Sequence, residues 1–85
     1  MNMKNGIGKD IVLIEWVDSK GMERWEYLEE IESMPPSTCY SVGFIIEENK
    51  NYKTIALGLS DTQVLGRTTI PARCIRNIKK LAISS

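Results

Sequence analysis

The sequence predicts a small, mainly β domain of five short curved strands, and three observations carry that expectation. Apolar residues alternate with polar ones at period two in several segments, most clearly in "TCYSVGFIIE", 38–47. Turns bearing glycine or asparagine separate those segments at short intervals. Only "RWEYLEEIES", 24–33, spaces its apolar residues as a helix does, and Pro35 and Pro36 stop it.

The elements follow in order. "MNMKNGIGKD", 1–10, is polar and glycine-bearing and is expected to be a flexible N-terminal segment. Its "GIG" neither follows a strand nor opens a helix, so it is not a phosphate loop. "IVLIEWV", 11–17, is the first strand: Val12, Ile14 and Trp16 share one face, and Ile11, Leu13 and Glu15 share the other. Two nearly apolar faces imply a strand covered on both sides. After the turn "DSKGM", Leu28 and Ile31 lie three apart and can bury together on a short helix, leaving Glu26, Glu29, Glu30 and Glu32 in water. In 38–47, Tyr40, Val42, Phe44 and Ile46 fall on one side. "ENKN" turns the chain, with Asn49 and Asn51 expected to supply a left-handed backbone. "YKTIALGLS" is the partner strand, carrying Ile55, Leu57 and Leu59 on one face. Gly43 and Gly58 interrupt their strands and suggest bulges or curvature. "DTQVLG" reads as a loop and "RTTI" as a fourth strand ended by Pro71. "PARC" has room for one tight turn, and "IRNIKKLAI", 75–83, is the last strand. Five strands with a helical turn in the first long loop and a tight turn before the last are the plan of an SH3-like barrel, a single domain over 11–83.

Eighty-five residues make one domain. A chain this short buries only about 60–65% of its unfolded surface, so self-association is a natural way to bury more, and a homo-oligomer is expected. Cys39 and Cys74 stand thirty-five positions apart and there is no histidine, which leaves no plausible metal site or cofactor. "IVLI" is too short for a signal core, so a reducing cytoplasm is the expected location, with both thiols acting as small hydrophobes. No stretch approaches the roughly 20 apolar residues of a membrane span. Formal charge sums to zero but is unevenly placed. Residues 1–48 hold four cations against ten carboxylates, −6, and residues 49–85 hold seven cations against Asp61, +6. That asymmetry suits head-to-tail association or capture of an anion.

From Ile11 to Leu81 the chain resembles a widespread group of small phage-encoded proteins of unassigned role. "IEWVDS" followed by Trp25, "SVGFIIEE" opening a hairpin, and "TTIPARCIRNI" carry the likeness, roughly a W-x-D…W…S-V-G-[FW]…I-P-x-x-x-I pattern. The resemblance implies an SH3-like fold and a phage or prophage origin, hence the cytoplasm of an infected bacterium. It brings no catalytic residues. Small phage proteins of this size commonly act by binding: they block host defence enzymes, sequester their nucleotide signals or redirect host machinery. The long acidic stretch between Trp25 and the prolines departs from the pattern.

Without histidine, no Ser–His or Cys–His pairing is available, and no enzyme is expected. Trp16 lies in register with Val12 and Ile14, which suits a core, yet its strand ends two residues later, near a rim. Trp25 suits either a lid over the barrel end or a stacking surface. Arg67 and Arg73, with the Thr69 hydroxyl, are competent to meet phosphate, or else they solubilise a sheet edge. Two functional expectations follow. In one, a homo-oligomer sequesters a small anionic nucleotide, linear or cyclic, between Trp16, Trp25, Arg67, Thr69 and Arg73. In the other, Glu26, Glu29 and Glu30 and the aromatic rim dock on a host or phage protein, such as a defence protein. A structural accessory is the third option. Long nucleic acid is not an expected partner, because phosphate-driven binding wants a surplus of positive charge.

Overall fold

Every buried side chain in the structure belongs to a strand. The computed structural model describes residues 10–82. Of the expected flexible segment only Asp10 falls in that range, and Ile83 lies outside it. The elements are β1 (Ile11–Asp18), a 3₁₀ turn (Leu28–Glu30), β2 (Ser37–Glu48), β3 (Tyr52–Leu59), β4 (Val64–Pro71), a second 3₁₀ turn (Ala72–Cys74) and β5 (Ile75–Leu81). All five strands form one antiparallel sheet in the order β4-β3-β2-β1-β5. The mainly β expectation holds. Among the described residues no ladder joins β4 to β5, so the sheet is not closed.

The sheet is nevertheless rolled, and chain connectivity demands it. Strands β4 and β5 lie at opposite edges, four strand gaps apart, which is about 19 Å in a flat sheet. Their registers differ too: Pro71 sits by Tyr52, next to the Glu48 end of β2, whereas Ile75 sits by Trp16, which faces Cys39 near its start. Yet only Ala72–Cys74 separates the two strands, a stretch of at most about 15 Å when extended and less as a 3₁₀ turn. β2 must therefore bend. Its first part, Ser37–Phe44, pairs with β1, and its last part, Phe44–Glu48, pairs with β3, with a register shift between Ile45 and Glu47. Phe44 is the hinge between the two pairings.

Rolling brings strands that are not neighbours into one core. Val12 and Ile14 of β1 pack with Ile55 of β3 and Ile70 of β4, and Trp16, Ile45, Cys74 and Ile75 close around them. Ile14 is completely buried and Ile70 nearly so. Gly43 lets β3 approach: a Cβ there would stand 2.6 Å from the Ala56 carbonyl oxygen. Positive φ occurs at Gly66 alone among the described residues, at 64°, where the Leu57 side chain covers the glycine.

Several local expectations are corrected. The helical turn expected within 24–33 is present as a single 3₁₀ turn, Leu28–Glu30, but Leu28 and Ile31 do not bury together and are both exposed. Two apolar residues without a facing element offer too little burial to drive a helix this short. β4 starts at Val64, inside the expected "DTQVLG" loop, because Val64 and Leu65 pair with Leu59 and Gly58. Asn49 and Asn51 do not adopt a left-handed backbone. Instead the Asn49 Oδ1 accepts the N–H groups of Asn51 and Tyr52 at 2.8 and 3.0 Å, a side-chain turn mimic. Finally, the stripe of Tyr40, Val42, Phe44 and Ile46 is divided: Tyr40, Val42 and Phe44 face outward, opposite Glu15, Leu13 and Ile11, while Ile46, at the register shift, is buried, and the inward face of β2 carries Ser41, Gly43 and Ile45.

Gly43→Ala is expected to lower unfolding free energy by about 1–3 kcal/mol, because the clashing atom is backbone that cannot turn aside. Gly58→Ala, whose Cβ would meet nothing closer than 3.7 Å, is expected to leave stability unchanged or slightly raised. Denaturant unfolding of the two variants side by side checks both.

Candidate binding surfaces

Trp16 occupies the rim of the core. Its ring packs against the buried cluster, and its indole N–H donates to the Ser41 hydroxyl at 3.0 Å. Ser41 projects from the same face of the neighbouring strand, so the hydrogen bond holds the ring across β1 and β2. This satisfied, half-buried indole is a structural piece with one edge in reach of solvent.

Arg67 and Thr69 both project outward from β4, two residues apart. Thr69 shares a hydroxyl–hydroxyl hydrogen bond of 2.7 Å with the buried Thr54. Arg73 stands apart from them on the second 3₁₀ turn, where it and Lys50 line a shallow depression of about 330 Å³ with Asn51 and Pro71. The backbone there is tied down by the Ala72 N–H donating to the Asn51 carbonyl at 2.8 Å. No depression among the described residues gathers Trp16, Trp25, Arg67, Thr69 and Arg73 together. Nor do three Cys, Asp or Glu side chains among them converge as a metal site requires. No helix there is long and apolar enough to cross a membrane.

The most distinctive surface is the arm between β1 and β2, residues 19–36. Every residue in it is exposed. Trp25 is fully exposed, and Tyr27, Leu28, Met22, Ile31 and Met34 are exposed as well. Glu26, Glu29 and Glu30 share the arm, which carries five glutamates against Lys20 and Arg24, a charge of −3. No arm side chain reaches the core, and the radius of gyration is 17.0 Å, where a compact chain of this length has about 12 Å.

A second apolar surface is the outer face of β1, β2 and β5. Val42, Leu13 and Lys79 form one cross-strand row, with Phe44, Ile11 and Leu81 beside it and Tyr40, Glu15 and Asn77 on the other side. Tyr40 and Val42 are exposed, at 66% and 50%. Sequence reasoning assigned Tyr27, Leu28, Tyr40 and Val42 no binding role. The signal that pointed to the outer face was the doubly apolar pattern of 11–17. Compared with protein-family models, curated proteins and solved structures, the chain matches none.

The two tryptophans differ enough to be separated by spectroscopy. In dilute protein, Trp16→Phe is expected to leave a red-shifted emission fully open to acrylamide, whereas Trp25→Phe leaves a blue-shifted, partly protected one. Ser41→Ala removes the indole's acceptor and is expected to lower stability by about 1 kcal/mol, read by denaturant unfolding.

Proposed function

We propose that this chain is a non-enzymatic, phage-derived binding protein that works in the cytoplasm of its bacterial host by docking its arm on a protein, a host defence protein or other host factor. On this reading the rolled sheet is an SH3-like barrel. The strand order, the bent β2 shared between two pairings and the tight turn before β5 support that.

The observation that carries the function is the exposure of Trp25, Tyr27 and Leu28 on an arm the core does not use. Large aromatic side chains are the commonest energetic anchors of protein interfaces, and a monomer gains nothing by holding them in water. The flanking glutamates add direction, drawing the arm toward a basic partner and raising its rate of encounter. Antagonism of host defence then needs no chemistry. Occupying a surface that the host protein needs is enough.

A second reading keeps the small anionic nucleotide as ligand. Arg73 and Lys50 on one depression favour it, since two cations with nearby backbone can hold a phosphate. Arg67 and Thr69, on a different part of the surface, contribute only if an assembly brings a second copy close.

The double variant Trp25→Ala, Leu28→Ser is expected to keep its unfolding free energy within about 0.5 kcal/mol of the parent, as surface changes do. It is expected to lose a protein that the parent captures from infected cells, as identified by mass spectrometry. Unfolding of the variant, or capture of an unchanged set of proteins, sinks this reading. Calorimetric titration with linear and cyclic nucleotides separates the second reading: heat lost in Arg73→Ala supports it, and silence with the parent removes it.

A further inference from the structure

We infer that the arm of one copy docks on the outer β1–β2–β5 face of a second copy, and that two copies exchange arms about a twofold axis. The inference rests on reading the arm as a docking element and names its partner as this same chain.

Three observations carry it. The first is an unmet demand for burial. Residues 11–17 are apolar on both faces, as in a strand covered on two sides, but only the face of Val12 and Ile14 is fully buried. On the outer rows Val42, Lys79 and Leu81 are exposed, and Leu13, Phe44 and Ile11 are only partly buried.

The second is charge. The arm carries −3, and beyond Asp61 the chain has cations and no carboxylate side chain. Lys79 stands within the outer face, one row from Glu15, and Arg76 lies exposed on the same strand with its guanidinium donating to the Arg73 carbonyl at 3.0 Å. A neutral chain with a −6 half and a +6 half is complementary to itself.

The third is area. Trp25 and Tyr27 alone bring roughly 300–500 Å² of burial. Leu28 and Ile31 carry this toward the about 800 Å² per partner of a standard interface. Exchange uses two arms and two faces, so each copy both gives and receives. The arm leaves β1 at Asp18 and returns to β2 at Ser37, the two strands that form most of the receiving face. Docked arms and receiving sheets therefore form one continuous layer.

A charge-swap pair tests this on the full chain. One variant carries Glu26→Lys, Glu29→Lys and Glu30→Lys; the other carries Arg76→Glu and Lys79→Glu. All five positions are exposed, so both variants are expected to fold, which circular dichroism and denaturant unfolding verify. By sedimentation over a wide concentration range, the parent is expected to be a dimer and each variant alone a monomer. An equimolar mixture is expected to dimerise, because in the mixed pair both arms again meet faces of opposite sign. Trp25→Ala is expected to weaken parental self-association by at least ~30-fold, the size of an aromatic anchor. Trp25 emission is expected to shift to the blue with concentration along the same curve.

A parent that stays monomeric overturns the inference, as does a dimer indifferent to the charge variants or one whose Trp25 remains open to quencher. If the monomer still loses a captured host protein on Trp25→Ala, the docking role of the arm stands and only its assignment to a second copy falls. If Trp25 is neither protected by a second copy nor needed for capture, both fall.

Discussion

The structure turns on one constraint: β4 and β5, at opposite edges of the sheet, are joined by Ala72–Cys74 alone. So short a link cannot span a flat five-stranded sheet, and the mismatch is greater along the strands than across them. The bend in β2 follows from it. So do the register shift after Ile45, which releases the bend, and the glycine at 43, which lets the two parts of the sheet close on each other. Ile70 and Ile14 can then share a core although two strands separate them in the sheet. Without the short link this sequence has a one-faced ribbon, and such a ribbon buries too little to persist alone.

A rolled sheet of this size encloses little. The core is a handful of isoleucines and valines with Trp16 at its rim, and stability must be correspondingly modest. It matters, then, that the arm contributes no side chain to that core. In a marginal domain, residues that bind cannot easily also hold the fold, because changing one role would unfold the other. Here the roles are divided between Trp16, hydrogen-bonded to Ser41, and Trp25, which is free in solvent. Two tryptophans nine residues apart serve opposite ends.

That division explains what was legible in the sequence. Strand positions were readable because period-two patterning and turn residues are local properties, and four of the five strands begin where the pattern indicates to within a residue. The in–out assignment of β2 was not. Tyr40, Val42 and Phe44 make the more apolar stripe, but β1 presents Val12 and Ile14 on the other face, and a sheet has one inside. Local hydrophobicity cannot decide a choice that the neighbouring strand makes. The short turn within 24–33 formed, but its burial did not, for a related reason: Leu28 and Ile31 supply a stripe, and no described element faces it. The candidate site was named from residue type alone, as aromatic, basic and acidic groups. That Trp25 and the arginines occupy separate surfaces depends on the roll of the sheet, which no short window of sequence encodes.

The composition of the arm is the last thing to account for, since it is acidic and apolar together. Apolar groups alone would make it a liability: exposed rings on a long connection would associate with one another without register. Five glutamates among those rings prevent this, because two arms repel at contact distance while each is drawn to a cationic face. The charges discriminate between encounters, and the rings supply affinity once the right encounter has formed. A segment built in this way binds a basic, apolar surface and rejects copies of itself. On the proposed reading, solvent exposure of Trp25 is the unbound half of an interaction, and the outer sheet face bearing Leu13, Val42 and Lys79 is the surface on the same chain proposed to answer it.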